Sequence, residues 1–192
     1  MRALTDIPTG MLSSNSDLRI IDFGYCNFTT GDWGNKFDGC TFSNLTTLII
    51  GGDNAPAYHT SGIKVIMEKI GATHLDKVIQ GPSSQLSGAS YGGSINVLGI
   101  KDIPTLGGYI TRGGFTIGKM YIWQTTPPTW NTAYGDNNNT NIGEVYVPVG
   151  YTQTYLEDTN FTKAWNISTL QSKIHEYDFN TDPDGIFTEL KI

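Results

Sequence analysis

Apolar residues in this chain recur in a fixed short pattern, apolar-x-x-apolar-x-apolar. Its clearest instance lies in IGEVYVPVGYTQTY (residues 142–155), where Ile142, Val145 and Val147 carry the apolar positions. Alternate residues of a strand share a face, so Val145 and Val147 point the same way, with Ile142 at the turn into the strand. Pro148 ends it, because proline cannot donate to a sheet ladder.

The same spacing returns at Leu18-Ile21-Phe23, Leu45-Leu48-Ile50, Ile95-Leu98-Ile100 and Ile117-Met120-Ile122. A weaker copy has Leu75 and Val78 but closes on Gln80. Successive starts are 20 to 30 residues apart. That period with an L-x-x-L-x-L core is the mark of leucine-rich repeats, in which each strand has one apolar face it cannot bury alone. The pattern therefore predicts an α/β solenoid: a leucine-rich repeat array with short parallel strands near 18–23, 45–50, 75–80, 95–100, 117–123 and 142–147. Its linkers are irregular or short helices. SSNSD and DNNNTN are turn-rich, and TSGIKVIMEKIG places Ile63, Ile66, Met67 and Ile70 on one helical face, with Gly71 to end it.

After Pro148 the pattern changes, which divides the chain into an array over 1–148 and a C-terminal cap over 149–192. YTQTYLED and NFTKAWNISTLQSKI read as short helices with Trp165, Leu170 and Ile174 as core contacts and Asn160 as an N-cap. IHEYDFNTDPDGIFTELKI reads as a β-hairpin around Asp182-Pro183-Asp184-Gly185.

Composition narrows the chemistry. Charged residues are only 16% of the 192, the formal net charge is −6, and no basic cluster exists, which argues against nucleic-acid binding through phosphate neutralisation. No apolar run approaches the ~20 residues that span a bilayer, and MRALTDIPTG lacks the apolar stretch of a signal peptide. The expectation is a protein not exported by that route, or a piece of a larger one. Cys26 and Cys40 suit no common metal motif; they read as buried free thiols, with a disulfide as the alternative in an oxidising compartment.

Several stretches resemble the BspA-like leucine-rich repeat proteins, found on surfaces of gut and oral bacteria and carried by some of their phages. Ile7-Pro8-Thr9-Gly10-Met11-Leu12 followed by Asn15-Ser16-Asp17-Leu18 is similar to that family's link from loop into strand. Phe37-Asp38-Gly39-Cys40 before Asn44-Leu45-Thr46-Thr47-Leu48 resembles its phenylalanine–x–x–cysteine turn. Residues 120–129, MYIWQTTPPT, followed by Val145-Tyr146-Val147-Pro148 and Tyr155, resemble its terminal repeat and cap. The match is weakest between Gly51 and Gly93. The resemblance implies a binding or adhesion scaffold and transfers no catalytic residue.

Residues between the apolar positions form an outward ladder. Asp22, Ile49, Tyr121 and Tyr146 lie on it, flanked by Lys119, Glu144 and Trp123, with Trp130 and Tyr134 in the adjoining loop. Exposed aromatics on a rigid surface suit a sugar face or a protein hot spot. The expected partner is therefore a protein or glycan surface, and the expected function non-enzymatic recognition or adhesion. A covering loop, helix or second copy would instead make the same aromatics structural. The alternative function is a structural phage virion component, a fibre or decoration protein that binds copies of itself or a host surface. Location follows the same split: extracellular or bacterial cell surface as a piece of a larger protein, or a virion.

No cofactor or metal is expected. His59, His74 and His175 share no ligand spacing. Asn180, Asp182 and Asp184 partly mimic a calcium loop, but Lys191 stands where the bidentate Glu belongs, so a simple turn is preferred. No nucleotide-binding glycine loop, nucleophile elbow or acid–base pair could be assembled.

Overall fold

The computed structural model describes residues 8, 10, 12–23, 37–50, 67–68, 70–80, 92–107, 115–131 and 141–187. Among these residues nine strands form two sheets. Seven of them, β1 (Ile20–Asp22), β2 (Thr47–Ile50), β3 (His74–Gln80), β4 (Ser94–Ile100), β6 (Thr116–Ile122), β8 (Ile142–Pro148) and β9 (Ile174–Tyr177), make one sheet in that order. Every pairing in it is parallel. The other two, β5 (Thr105–Gly107) and β7 (Thr129–Asn131), make a small parallel sheet of their own. Short helices α1 (Thr152–Glu157), α2 (Thr159–Thr162) and α3 (Ile167–Gln171) follow β8.

The apolar triplets become rows across the sheet. Ile21, Leu48, Val78, Leu98, Met120, Val145 and Ile174 are cross-strand partners in one buried row. Leu75, Ile95, Ile117 and Ile142 make a second buried row. On the strands that carry both, the rows lie three positions apart, which plain alternation would not allow. The register explains it: partners run Leu75–Ile95 and then Lys77–Val97, leaving Asp76 and Asn96 outside the pairing. Gly118 and Gly143 are passed over in the same way. At this bend neighbouring backbones approach closely. A Cβ on Gly118 would stand 2.7 Å from the Asn96 carbonyl oxygen, and one on Gly143 would overlap that of Gly118.

The weak third triplet belongs to the same sheet. Gln80 is buried at the register position of Ile50, Ile100 and Ile122. Of the expected linker helix, residues 67 and 68 are helical, Met67 and Ile70 are buried, and Gly71 leaves the helix at φ +72°. Ile63 and Ile66 lie outside the described residues.

The cap differs from expectation in two respects. Asn160 is not an N-cap: the Asp158 carboxylate accepts from the Asn160 and Phe161 N–H groups at 2.8 Å, and Asn166 caps α3 by accepting from Thr169 N–H. Nor is there a hairpin among the described residues after 173. β9 instead joins the main sheet parallel to β8, pairing Ile174 with Val145. The physical reason is burial: Ile174 extends a row six residues long, whereas an isolated two-stranded hairpin is marginal in water. Tyr155, Phe161, Ala164, Trp165 and Leu170 complete the same core.

The chain after β9 turns back across the opposite face of the sheet. Phe179, Ile186 and Phe187 pack there with Ile49, Ile79, Tyr121 and Tyr177 in a second apolar cluster. The sheet is thus covered on both faces, as all-parallel sheets generally are.

Candidate binding surface

The outward ladder runs across the strands as Asp22, Ile49, Ile79, Gly99, Tyr121, Tyr146 and His175. Parallel pairing superposes like positions, so the aromatics stack. The Tyr121 and Tyr146 rings lie 4.4 Å apart and 7° from parallel, and His175 follows Tyr146 at 5.3 Å. Tyr177 meets Tyr121 edge-on at 4.9 Å. Offset and edge-on contacts of this kind suit the ring quadrupoles.

The ladder is not open along its length, which corrects the reading of its middle as free surface. Ile49 and Tyr121 are 0% and 1% exposed, beneath the C-terminal turn. Burial and the nearby Asp184 carboxylate raise the Tyr121 hydroxyl's pKa, and that hydroxyl donates to Asp184 Oδ2 at 3.2 Å. Asp22 is exposed on β1. Trp130 is also corrected: it lies on β7 in the main core, against Phe161 and Trp165, rather than beside the ladder. Tyr134 falls outside the described residues.

What remains accessible lies at the β6–β8 end. Tyr146 is half-buried and donates to Glu144 Oε2 at 2.7 Å. Lys119 pairs with the same oxygen at 3.8 Å and sits 5.6 Å from the Tyr146 ring centre. Desolvation first, then the Glu144 bond, pushes the Tyr146 hydroxyl up to about 12. The Tyr146 bond, helped by Lys119, lowers the Glu144 carboxyl below its ordinary range. With both ends of the ion pair nearly half exposed, its own contribution is about 0–1 kcal/mol. The group thus presents one cation, one anion and an aromatic edge in a fixed arrangement.

Beside it, half-buried Trp123 borders a cleft of about 660 Å³. Phe179 lies nearly parallel to its indole at 5.6 Å, Phe187 edge-on at 4.7 Å, and the Lys101 ammonium 4.6 Å over the ring. Trp123 was legible as a ladder residue. Apart from Thr129 at the start of β7, the rest of the cleft wall comes from irregular segments without periodicity.

The segment over the ladder is held by one carboxylate. Asp182 accepts from the Ile186 and Phe187 N–H groups at 2.8 and 2.9 Å and from the Tyr177 hydroxyl at 2.7 Å. Asp182 itself takes φ +43°, and Gly185 φ +63°. The stretch that mimics a calcium loop therefore spends its central carboxylate on its own backbone. Asp184 bonds Tyr121, and Asn180 donates its N–H to Asp178. Among the described residues, no group of three or more His, Cys, Asp or Glu side chains converges as metal ligands would. Cys40 is a buried free thiol whose pKa burial raises; Cys26 lies outside the described residues.

Sequence reasoning also missed a polar chain at the strand bend. His74 Nδ1 lies 2.7 Å from Ser94 Oγ and its Nε2 3.3 Å from Asp76 Oδ1, which also accepts from Asn96 at 3.1 Å. Serine, histidine and aspartate in this order have the connectivity of a nucleophile relay. The Ser94 N–H, however, donates to the Thr73 carbonyl, so it is not free to hold an oxyanion, and His74 and Asp76 are about half exposed. As placed, the chain ties β3 to β4.

Among the described residues, no helix is long and apolar enough to cross a membrane. No protein-family profile, curated protein or solved structure matches the chain.

Proposed function

We propose that this chain is a non-enzymatic recognition module, built as a leucine-rich repeat solenoid of the BspA-like kind, that binds a protein or glycan surface through the outward face of its sheet. The repeat reading is supported by consecutive triplets falling on chain-ordered parallel strands in one register. One observation carries the binding reading. The C-terminal turn seals Ile49 and Tyr121 but leaves Lys119, Glu144, Tyr146 and Trp123 partly exposed and already fixed by their neighbours. Side chains immobilised before a partner arrives lose little entropy on binding, and aromatic anchors beside a charged pair are what interface hot spots are made of. On this reading the protein works outside a cell, at a bacterial surface or on a virion.

The test is binding of fluorescently labelled protein to intact bacteria and cultured epithelial cells. Wild-type protein should bind at least one surface. Lys119→Glu combined with Tyr146→Ala should weaken binding about tenfold or more while circular dichroism shows the fold retained at the assay temperature, even as the midpoint falls with the lost Tyr121–Tyr146 stacking. Equal binding by the double variant, or none by the wild type, overturns the reading.

A second reading, self-assembly as a virion component, draws on a different observation. Among the described residues β1 and β9 are the outermost strands of the sheet, and Asp22 and His175 stand on the same row at its two ends. A copy added end to end would place them side by side, a contact that propagates rather than closes. Sedimentation distinguishes the two: growing oligomers support assembly, and a monomer at high concentration removes it.

A further inference from the structure

The cleft beside Trp123 has a lining that matches one ligand class. It is lined by Trp123, Asp102, Gln124, Thr125, Thr126 and Thr129, with Pro104 and Pro127 between them. Thr125, Thr126 and Asp102 are exposed. A volume of about 660 Å³ falls within the roughly 300–1,000 Å³ of sites that hold small ligands.

The floor is rigid. Gln124 Oε1 accepts from Ile103 N–H at 2.6 Å, and its Nε2 donates to the Ile103 and Thr126 carbonyls at 3.0 Å. The Gln124 carbonyl in turn accepts from the buried Tyr155 hydroxyl at 2.7 Å. Trp123 is held by Phe179 and Phe187. A lining that sets one tryptophan among three threonines, two prolines and one aspartate fits a pyranose, which has an apolar C–H face and a polar rim. An anionic ligand would meet the Asp102 carboxylate, and a purely apolar one would strand the threonine hydroxyls without partners.

Resting on the recognition reading above, we infer that the Trp123 cleft binds a neutral oligosaccharide, and that Lys101 is a movable cover over its aromatic plate. The Lys101 ammonium stands 4.6 Å over the Trp123 ring, so a sugar face packed on that side of the indole would have to take its place. A partly exposed cation–π contact is weak, and a lysine stem swings away readily. The sugar displaces it, so part of the binding free energy is lost in moving it. Removing the side chain should therefore tighten binding.

The experiment is calorimetric titration, with Trp fluorescence alongside, using cellohexaose, xylohexaose and maltoheptaose as neutral probes and a heparin hexasaccharide as the anionic one. At least one neutral probe should bind with a micromolar to millimolar Kd. Trp123→Ala should weaken it about tenfold or more. Thr125→Ala with Thr126→Ala, two exposed positions that leave the fold alone, should weaken it severalfold. Lys101→Ala should tighten it about two- to fivefold. Silence from every neutral probe, or binding indifferent to both the Trp123 and the double-threonine variants, overturns the inference. So does preferential heparin binding that Lys101→Ala weakens. Cell binding abolished by protease but not by periodate, with neutral probes silent, removes the cleft proposal and leaves the recognition module standing. Absence of both cell and saccharide binding removes both.

Discussion

Phe187 packs against the bare Cα of Gly99, at the one ladder position without a side chain. A Cβ built there would stand 3.0 Å from two atoms of the Phe187 ring and 2.8 Å from Ile79 Cδ1. Glycine at this position makes the seat into which the C-terminal turn settles. Gly99→Val should therefore cost about 1–3 kcal/mol by overpacking and should lift the turn off the sheet. Denaturant unfolding measures the first effect. The second shows as faster amide exchange at Ile186 and Phe187, and a substitution leaving both unchanged would mean the ring has another place to go.

Asp182 supplies the acceptor for three donors within its own turn. Asp182→Ala leaves the Ile186 and Phe187 N–H groups without that partner and should cost about 1.5–3 kcal/mol, the range for hydrogen bonds to a charged group. Asp182→Asn should cost less. The loss should appear in Trp123 fluorescence as Phe179 and Phe187 leave the indole. Added calcium should restore neither variant, since the carboxylate's role there is to hold backbone.

Helix capping offers a direct comparison between neighbouring residues. Asp158→Ala removes the acceptor for two N–H groups at the start of α2 and should cost about 0.5–2 kcal/mol. Asn160→Ala, at an exposed position inside the first turn, should change the unfolding midpoint hardly at all. A reversed order would mean that α2 begins elsewhere.

Four tyrosines, 121, 146, 155 and 177, have hydroxyl pKa values raised above their ordinary 10.0, with burial the largest cause in each. In each, the folded state holds its proton more tightly than the unfolded chain does. Their contribution is fully present below pH 10 and is lost as pH rises through the folded values, which begin at about 12 for Tyr146. Stability should therefore be insensitive to these groups at neutral pH and fall steeply above pH ~10. Tyr121→Phe and Tyr146→Phe should each reduce the steepness. Tyrosinate absorbance followed against circular dichroism checks the order: ionisation of these four should coincide with unfolding.

The strands were legible because the second residue of every triplet lands on one buried row that crosses the sheet, and burial of that row forces the spacing on the sequence. The fate of the other face was not. A period of two says which side a residue points to and nothing about what lies on that side. The residues that cover Ile49 and Tyr121 come from Phe179 to Phe187, far along the chain. β9 was misread for a related reason. Four residues before a strong turn signal look the same whether the strand pairs forward into a hairpin or backward onto β8, and the place beside Val145 decides. Trp130 looked like a loop residue because Pro127 and Pro128 precede it, and a three-residue strand carries too little pattern to show otherwise. The acidic stretch carried a turn signal and the chain does turn there, with Asp182 and Gly185 in left-handed backbone, but it does not close the hairpin read around it.

The C-terminal turn touches more of the sheet than any single strand does. Its cluster draws on β2, β3, β4, β6 and β8, and Lys77 donates to the Gly185 carbonyl across 108 residues. During synthesis those strands emerge in order and can pair as they appear, yet among the described residues the apolar side holding Ile49, Ile79 and Tyr121 gains its cover only when Phe187 has left the ribosome. Every nascent chain thus passes through a stage with a finished inner core and a naked outer one. That interval, rather than the folded protein, is where aggregation and chaperone capture would act.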